Sequence, residues 1–212
     1  MRHVMFDIDG TLVQSYEFDE EIYARSMEEV IGSEIDRNWS EYKNVTDVGI
    51  LNEIIELHGL SLRKELIQHE VKNIFVREIS NHIAKKPAEE VPGAISFIDY
   101  LANLDDVIVS FATGGWYETA VLKLDSAGFN YSKDFISSSN DHFKRTEIMT
   151  IAKAKHENQS GTFCTFFGDG VWDKKACEEI GFNFVLVGNR ANHNQNINDF
   201  KSVNEALAYI GL

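Results

Sequence analysis

Asp7 and Asp9 stand two residues apart at the end of an apolar run and just before Gly10-Thr11. Residues at that spacing in an extended segment point the same way, so both carboxylates project from one strand end. Such a pair is costly unless a cation or a shared proton relieves the repulsion. A second strand end repeats the arrangement: Gly168-Asp169-Gly170 follows an apolar run, and Asp173 comes shortly after. The flanking glycines permit a tight turn and close backbone approach. Asp7 and Asp169 together offer hard oxygen ligands from two strands, which water, a backbone carbonyl and a substrate phosphate would complete around Mg²⁺. Asp173 suits that site or, equally, the N-terminal cap of the helix that follows.

Two further segments suit an anion. Thr113-Gly114-Gly115 closes an apolar run and opens a helical pattern, so a hydroxyl and free backbone N–H groups would form a cradle there. Ordinary turn chemistry uses the same residues. Lys144 and Arg145 precede another helical pattern; either one, turned inward, would offset the carboxylates and hold a phosphate oxygen. Spacing does not choose between them, and two adjacent bases also suit a solvated surface.

The elements that must position these groups are legible as apolar runs at residues 3–6, 107–111, 135–137, 163–167 and 184–187, which read as five buried strands. Helical spacing at 94–102, 118–127, 147–155 and 174–180 separates most of them. That alternation predicts an α/β fold, a parallel sheet covered on both faces. Residues 15–90 break the pattern with amphipathic helices at 20–31, 47–57 and 62–83. About seventy-five residues is too long for a loop, so this stretch reads as an inserted helical domain (15–90) in a core made of 1–14 and 91–212. Both prolines, Pro87 and Pro92, fall at the re-entry.

With 43% hydrophobic and 25% charged residues in 212, the chain has the composition of a folded globular protein. Lys+Arg 20 against Asp+Glu 34 gives a net charge of -14, a field that argues against nucleic acid or anionic membrane partners. A phosphate site in such a chain must be locally positive, which a bound metal would achieve. No segment reads as a signal peptide or membrane span, so a cytoplasmic location is expected. Cys164 and Cys177 lack metal-ligand spacing and read as reduced packing residues.

Taken in order, Asp7-Ile8-Asp9-Gly10-Thr11, then Thr113, then Lys144 or Arg145, then Gly168-Asp169-Gly170 through Asp173, the segments resemble the motifs of the haloacid dehalogenase superfamily of phosphatases. The resemblance implies a Rossmann-like core of five parallel strands with the first and fourth adjacent, and a helical cap inserted after the first motif. It implies that Asp7 attacks phosphorus to form an aspartyl phosphate, and that Asp9 protonates the leaving alcohol and then activates water. It further implies that Asp7, Asp169 and the carbonyl of Asp9 hold Mg²⁺ with Asp173 nearby, and that Thr113, Gly114 and the basic residue hold the phosphoryl group.

Asn44-Val45-Thr46-Asp47 resembles the cap specificity loop of phosphoglycolate-phosphatase-like relatives, although Thr46 or Asp47 is also a natural helix N-cap. Thr46, Asp47 and Trp116 are therefore candidate specificity residues. The expected partner is a small phosphorylated metabolite, a phosphoglycolate-like acid or a sugar phosphate. A phosphomutase using the same aspartates, and a non-catalytic binding module on the same fold, are the alternatives.

Overall fold

The apolar run that ends at Asp7 becomes the central strand of a parallel sheet in the computed structural model, which describes residues 1–156 and 163–212. In chain order the elements are β1 (Arg2–Phe6), α1 (Tyr16–Ile31), α2 (Asp47–Leu57), α3 (Lys64–Lys85), α4 (Ala94–Ala102), β2 (Val107–Ala112), α5 (Tyr117–Ala127), β3 (Ile136–Ser137), α6 (Arg145–Ala154), β4 (Phe163–Gly168), α7 (Val171–Ile180), β5 (Asn183–Val187), β6 (Asn196–Ile197) and α8 (Val203–Ile210). The strands lie in the order β3-β2-β1-β4-β5-β6, and every neighbouring pair is parallel.

The expected five strands become six among the described residues. The addition, β6, is two residues long and follows a polar run, so no alternation marks it; Leu186 N–H donates to the Gln195 carbonyl (2.9 Å) and Gly188 N–H to the Ile197 carbonyl (2.8 Å). At the other edge the third strand is shorter than its apolar run, because Phe135 lies in a single 3₁₀ turn, Lys133–Phe135. The terminal helix α8, which buries Ala206 and Ile210, was also not marked in the sequence.

Register decides where the chemistry goes. Phe6 pairs with Phe111 on one side and with Phe167 on the other, so β1, β2 and β4 end level. Asp7, Thr113 and Asp169 then leave the sheet at one carboxyl edge, the place where open α/β sheets bind ligands. Phe6 and Phe167 stack at 5.0 Å beneath that edge, and Phe97 and Phe200 stack at 5.2 Å against them. All four are fully buried.

Helices α1 to α3 build a second apolar cluster of their own, around Tyr23, Met27, Leu51, Ile54, Val71 and Phe75. The chain leaves and re-enters the core through two segments that run side by side. Gln14 N–H donates to the Glu89 carbonyl (2.8 Å) and Val91 N–H to the Leu12 carbonyl (2.7 Å). No described helix is long and apolar enough to cross a membrane.

Phe167→Ala removes the ring on which the catalytic edge rests, and should cost about 3–5 kcal/mol, whereas Leu62→Ala at a fully exposed site should stay within about 0.5 kcal/mol. Urea denaturation midpoints check this; equal effects from the two would contradict the assignment of the core.

Candidate active site

Three carboxylates meet at the sheet edge. Oxygens of Asp7, Asp169 and Asp173 all lie within 4.8 Å of one another, and all three side chains are buried. The close approach depends on Gly10, whose φ of 79° favours glycine and whose missing Cβ would sit 2.3 Å from Asp169 Oδ2. Thr11 Oγ1 donates to Asp7 Oδ2 at 3.3 Å. Asp173 also caps its helix, accepting from Gly170 N–H at 3.0 Å, while its side chain stays in the carboxylate cluster.

Of the two adjacent bases, Arg145 turns inward. Its Nη1 lies 3.3 Å from Asp7 Oδ1 and 2.8 Å from Asp173 Oδ1, and its Nη2 donates to the Val45 carbonyl at 3.1 Å. Lys144 faces solvent with its ammonium over the Phe143 ring, which corrects its assignment to the phosphate site: it occupies the N-cap position, where the side chain points away from the sheet edge. Gly114 lies under the guanidinium, where a Cβ would be 2.4 Å from Nη2. The buried Thr113 hydroxyl accepts from Gly115 N–H at 3.0 Å.

Burial pushes the Asp7 carboxyl well above the usual carboxylate range; Asp173 adds to the effect and Arg145 opposes it. Asp169 is pushed up to about 7, first by burial and then by Asp173, with Arg190 (3.4 Å from its Oδ2) opposing. Asp169 Oδ1 is buried without a hydrogen-bond partner, as is Arg145 Nε. An excess of clustered carboxylates with an orphaned oxygen fits a divalent cation, and Asp7, Asp169 and Asp173 are the side chains that would hold it. The Asp9 carboxylate points elsewhere.

Asp9 Oδ1 receives Lys123 Nζ at 2.5 Å and the Ser15 hydroxyl. Lys123 is fully buried and also pairs with Asp19 at 2.6 Å. Burial alone would strip its proton, but the carboxylates of Asp19 and Asp9 outweigh that and raise its pKa. Asp19 is pushed up to about 7 by burial, with Lys123 opposing and Asp9 reinforcing. Neither residue was foreseen. The available signal was a lysine on the helix face shared by Ala120 and Leu124, a position that pattern alone assigns to the core.

The helical insertion is clasped over this edge. Asp47 N–H donates to the Gly114 carbonyl and Asp47 Oδ2 accepts from Trp116 N–H, both at 2.8 Å. Thr46 Oγ1 caps α2 through Gly49 N–H (3.0 Å) and donates to the Phe143 carbonyl (2.7 Å). Thr46 and Asp47 line the cavity of about 90 Å³ left between insertion and core, together with Asp7, Asp9, Thr113 and Arg145. Trp116 is not among its lining residues. It is buried with Tyr23 and Phe75, each at 5.8 Å, so of the two expectations for it, packing on the insertion or on the substrate, the structure shows the packing.

Comparison with known proteins agrees with this architecture. A beta-phosphoglucomutase from Clostridium difficile is 20% identical over 99% of this chain and 97% of its own, with a TM-score of 0.72. CbbY from Rhodobacter sphaeroides, solved with phosphate, is 13% identical over 100% of both chains, with a TM-score of 0.71. A putative phosphoglycolate phosphatase from Lactobacillus plantarum is 19% identical over 96% of this chain and 98% of its own, with a TM-score of 0.64. No curated protein sequence matches the chain. The profile of the haloacid dehalogenase-like hydrolases matches residues 1–181, and with the sheet order and the carboxylate edge it establishes that the chain belongs to that family and is a hydrolase.

Proposed function

We propose that the protein is a Mg²⁺-dependent phosphatase of small phosphate monoesters, with residues 1–14 and 91–212 as the catalytic core and 15–90 as its cap. The observation that carries this reading is the convergence of Asp7, Asp169 and Asp173 with Arg145 at one sheet edge. Phosphoryl transfer needs charge neutralisation and in-line positioning more than any other help.

Asp7 is the nucleophile: one carboxylate oxygen attacks phosphorus and the ester oxygen leaves, giving an aspartyl phosphate. Arg145 and the Thr113-Gly114-Gly115 turn hold the equatorial phosphoryl oxygens. Asp7, Asp169 and Asp173, with the Asp9 backbone carbonyl, would hold Mg²⁺, which would supply charge neutralisation for the transferring group. Asp9 gives its proton to the leaving alcohol and then takes one from the water that hydrolyses the aspartyl phosphate. Lys123 and Ser15 fix Asp9 Oδ1, which leaves Oδ2 free, on the side of Gly115, for that exchange. Cap closure keeps other water out.

Asp7→Asn should lower Mg²⁺-dependent release of phosphate from an aryl phosphate by about 10³-fold or more with an unchanged unfolding midpoint; near-wild-type turnover would sink the mechanism. Product analysis on a hexose phosphate separates hydrolysis from the phosphomutase alternative, since only the latter gives an isomer without free phosphate.

A second expectation concerns pH. An Asp169 pKa raised in the fold to about 7 from 3.8 means the folded metal-free state binds more protons, so its contribution to stability falls as pH rises from about 4 to 7. Mg²⁺ binds the ionised carboxylates and reverses that loss. The Mg²⁺-induced rise in Tm should therefore be larger at about pH 8 than at about pH 5, and should shrink in Asp169→Asn. A rise independent of pH and of Asp169 would contradict the metal assignment.

A further inference from the structure

The half of the cavity that faces the leaving group is made by the cap, and its chemistry is one-sided. Asp19, Glu20 and Asp47 line it, with the rings of Tyr16, Tyr23 and Trp39. Among the described residues no lysine lines the cavity, and the arginine that does is Arg145, which is committed to Asp7 and Asp173 on the phosphoryl side. The Lys123 ammonium is shared between Asp9 and Asp19. Arg190 stacks on the Tyr16 ring at 3.0 Å and faces Asp169, and is not among the lining residues. Four carboxylates, Asp9, Asp19, Glu20 and Asp47, thus face two cations, Lys123 and, beside Glu20, Arg190.

A second acidic group on the substrate would meet carboxylates there, at a cost of several kcal/mol for like charges brought together. A protonated amine would be paired by the carboxylates, and aromatic faces attract a cation directly. Tyr23 and Trp39, with ring centroids 6.0 Å apart, provide such faces. Size narrows the choice further. A cavity of about 90 Å³ favours a short leaving group.

Resting on the phosphatase reading above, we infer that the substrate is a phosphate ester of a small amino alcohol, held by the carboxylates of Glu20 and Asp47 and the rings of Tyr23 and Trp39. The inference departs from the phosphoglycolate-like or sugar phosphate expected from the sequence. The reaction adds water across the P–O bond and releases inorganic phosphate and the free amino alcohol; no other co-reactant enters.

Three esters of matched length test the inference with Mg²⁺ present: ethanolamine phosphate, ethylene glycol monophosphate and phosphoglycolate. The kcat/KM for the amine should exceed that of the neutral ester by about tenfold or more and that of phosphoglycolate by about a hundredfold or more. Glu20→Gln should reduce the amine-over-neutral ratio by about threefold or more, and Glu20→Lys should shift preference toward phosphoglycolate. Equal rates for amine and neutral ester, or phosphoglycolate as the best of the three, would overturn the inference and leave the phosphatase reading standing. Aryl phosphate is the control that separates the two: no release from it or from any of the three esters would overturn both.

Discussion

Three buried carboxylates share one sheet edge with too little positive charge to balance them, and most of the local architecture answers that imbalance. Asp7 and Asp173 face Arg145 directly, and Asp169 faces Arg190 at the rim. Like charges at that range raise one another's pKa values and cannot all ionise without help. Removing Arg145 alone would leave buried charge uncompensated, the case in which a buried ion pair matters most. A divalent cation would offset that excess of negative charge, which is why the edge fits a metal. The level ends of β1, β2 and β4, set by the pairing of Phe6 with Phe111 and Phe167, deliver the groups to that edge.

A second buried ion cluster ties this edge to the cap. Lys123 from the core joins Asp9 of the first motif to Asp19 of α1, so the residue proposed as general acid shares its cation with the cap. Asp19 of the insertion thus helps to hold Asp9 in place through Lys123. The Asp47 and Thr46 contacts to the Gly114, Trp116 and Phe143 backbone act in the same direction, because each would be broken by rotation about the paired segments at Gln14 and Val91.

The groups that could be read from sequence are those whose position depends on local pattern. Asp7, Thr113 and Asp169 each follow an apolar run, so a parallel sheet sends them toward its carboxyl edge, and Asp9 comes with Asp7. The inserted helices were legible because strand signals stop for a long stretch and helical spacing takes over. What escaped depends on long-range packing. Lys123 and Asp19 are separated by more than a hundred positions, and only the docking of cap on core makes them partners. Arg145 and Lys144 differ by a single position, and the N-cap geometry of α6 sends one inward and the other out. Strand β6 is two residues in a polar stretch and owes its existence to the neighbouring edge of β5. Trp116 stands beside the phosphate cradle in sequence but belongs to the cap's aromatic cluster in space.

In the proposed mechanism a carboxylate oxygen of Asp7 receives the phosphoryl group. The direct measurement is peptide mass mapping of protein quenched in acid during turnover of an aryl phosphate with Mg²⁺, using Asp9→Asn to slow hydrolysis of the intermediate. An aryl leaving group needs little protonation, so the first step survives in that variant. One phosphoryl group should be found on the peptide that contains Asp7. Continued release of phosphate from Asp9→Asn protein whose Asp7 peptide stays unmodified throughout would contradict the account.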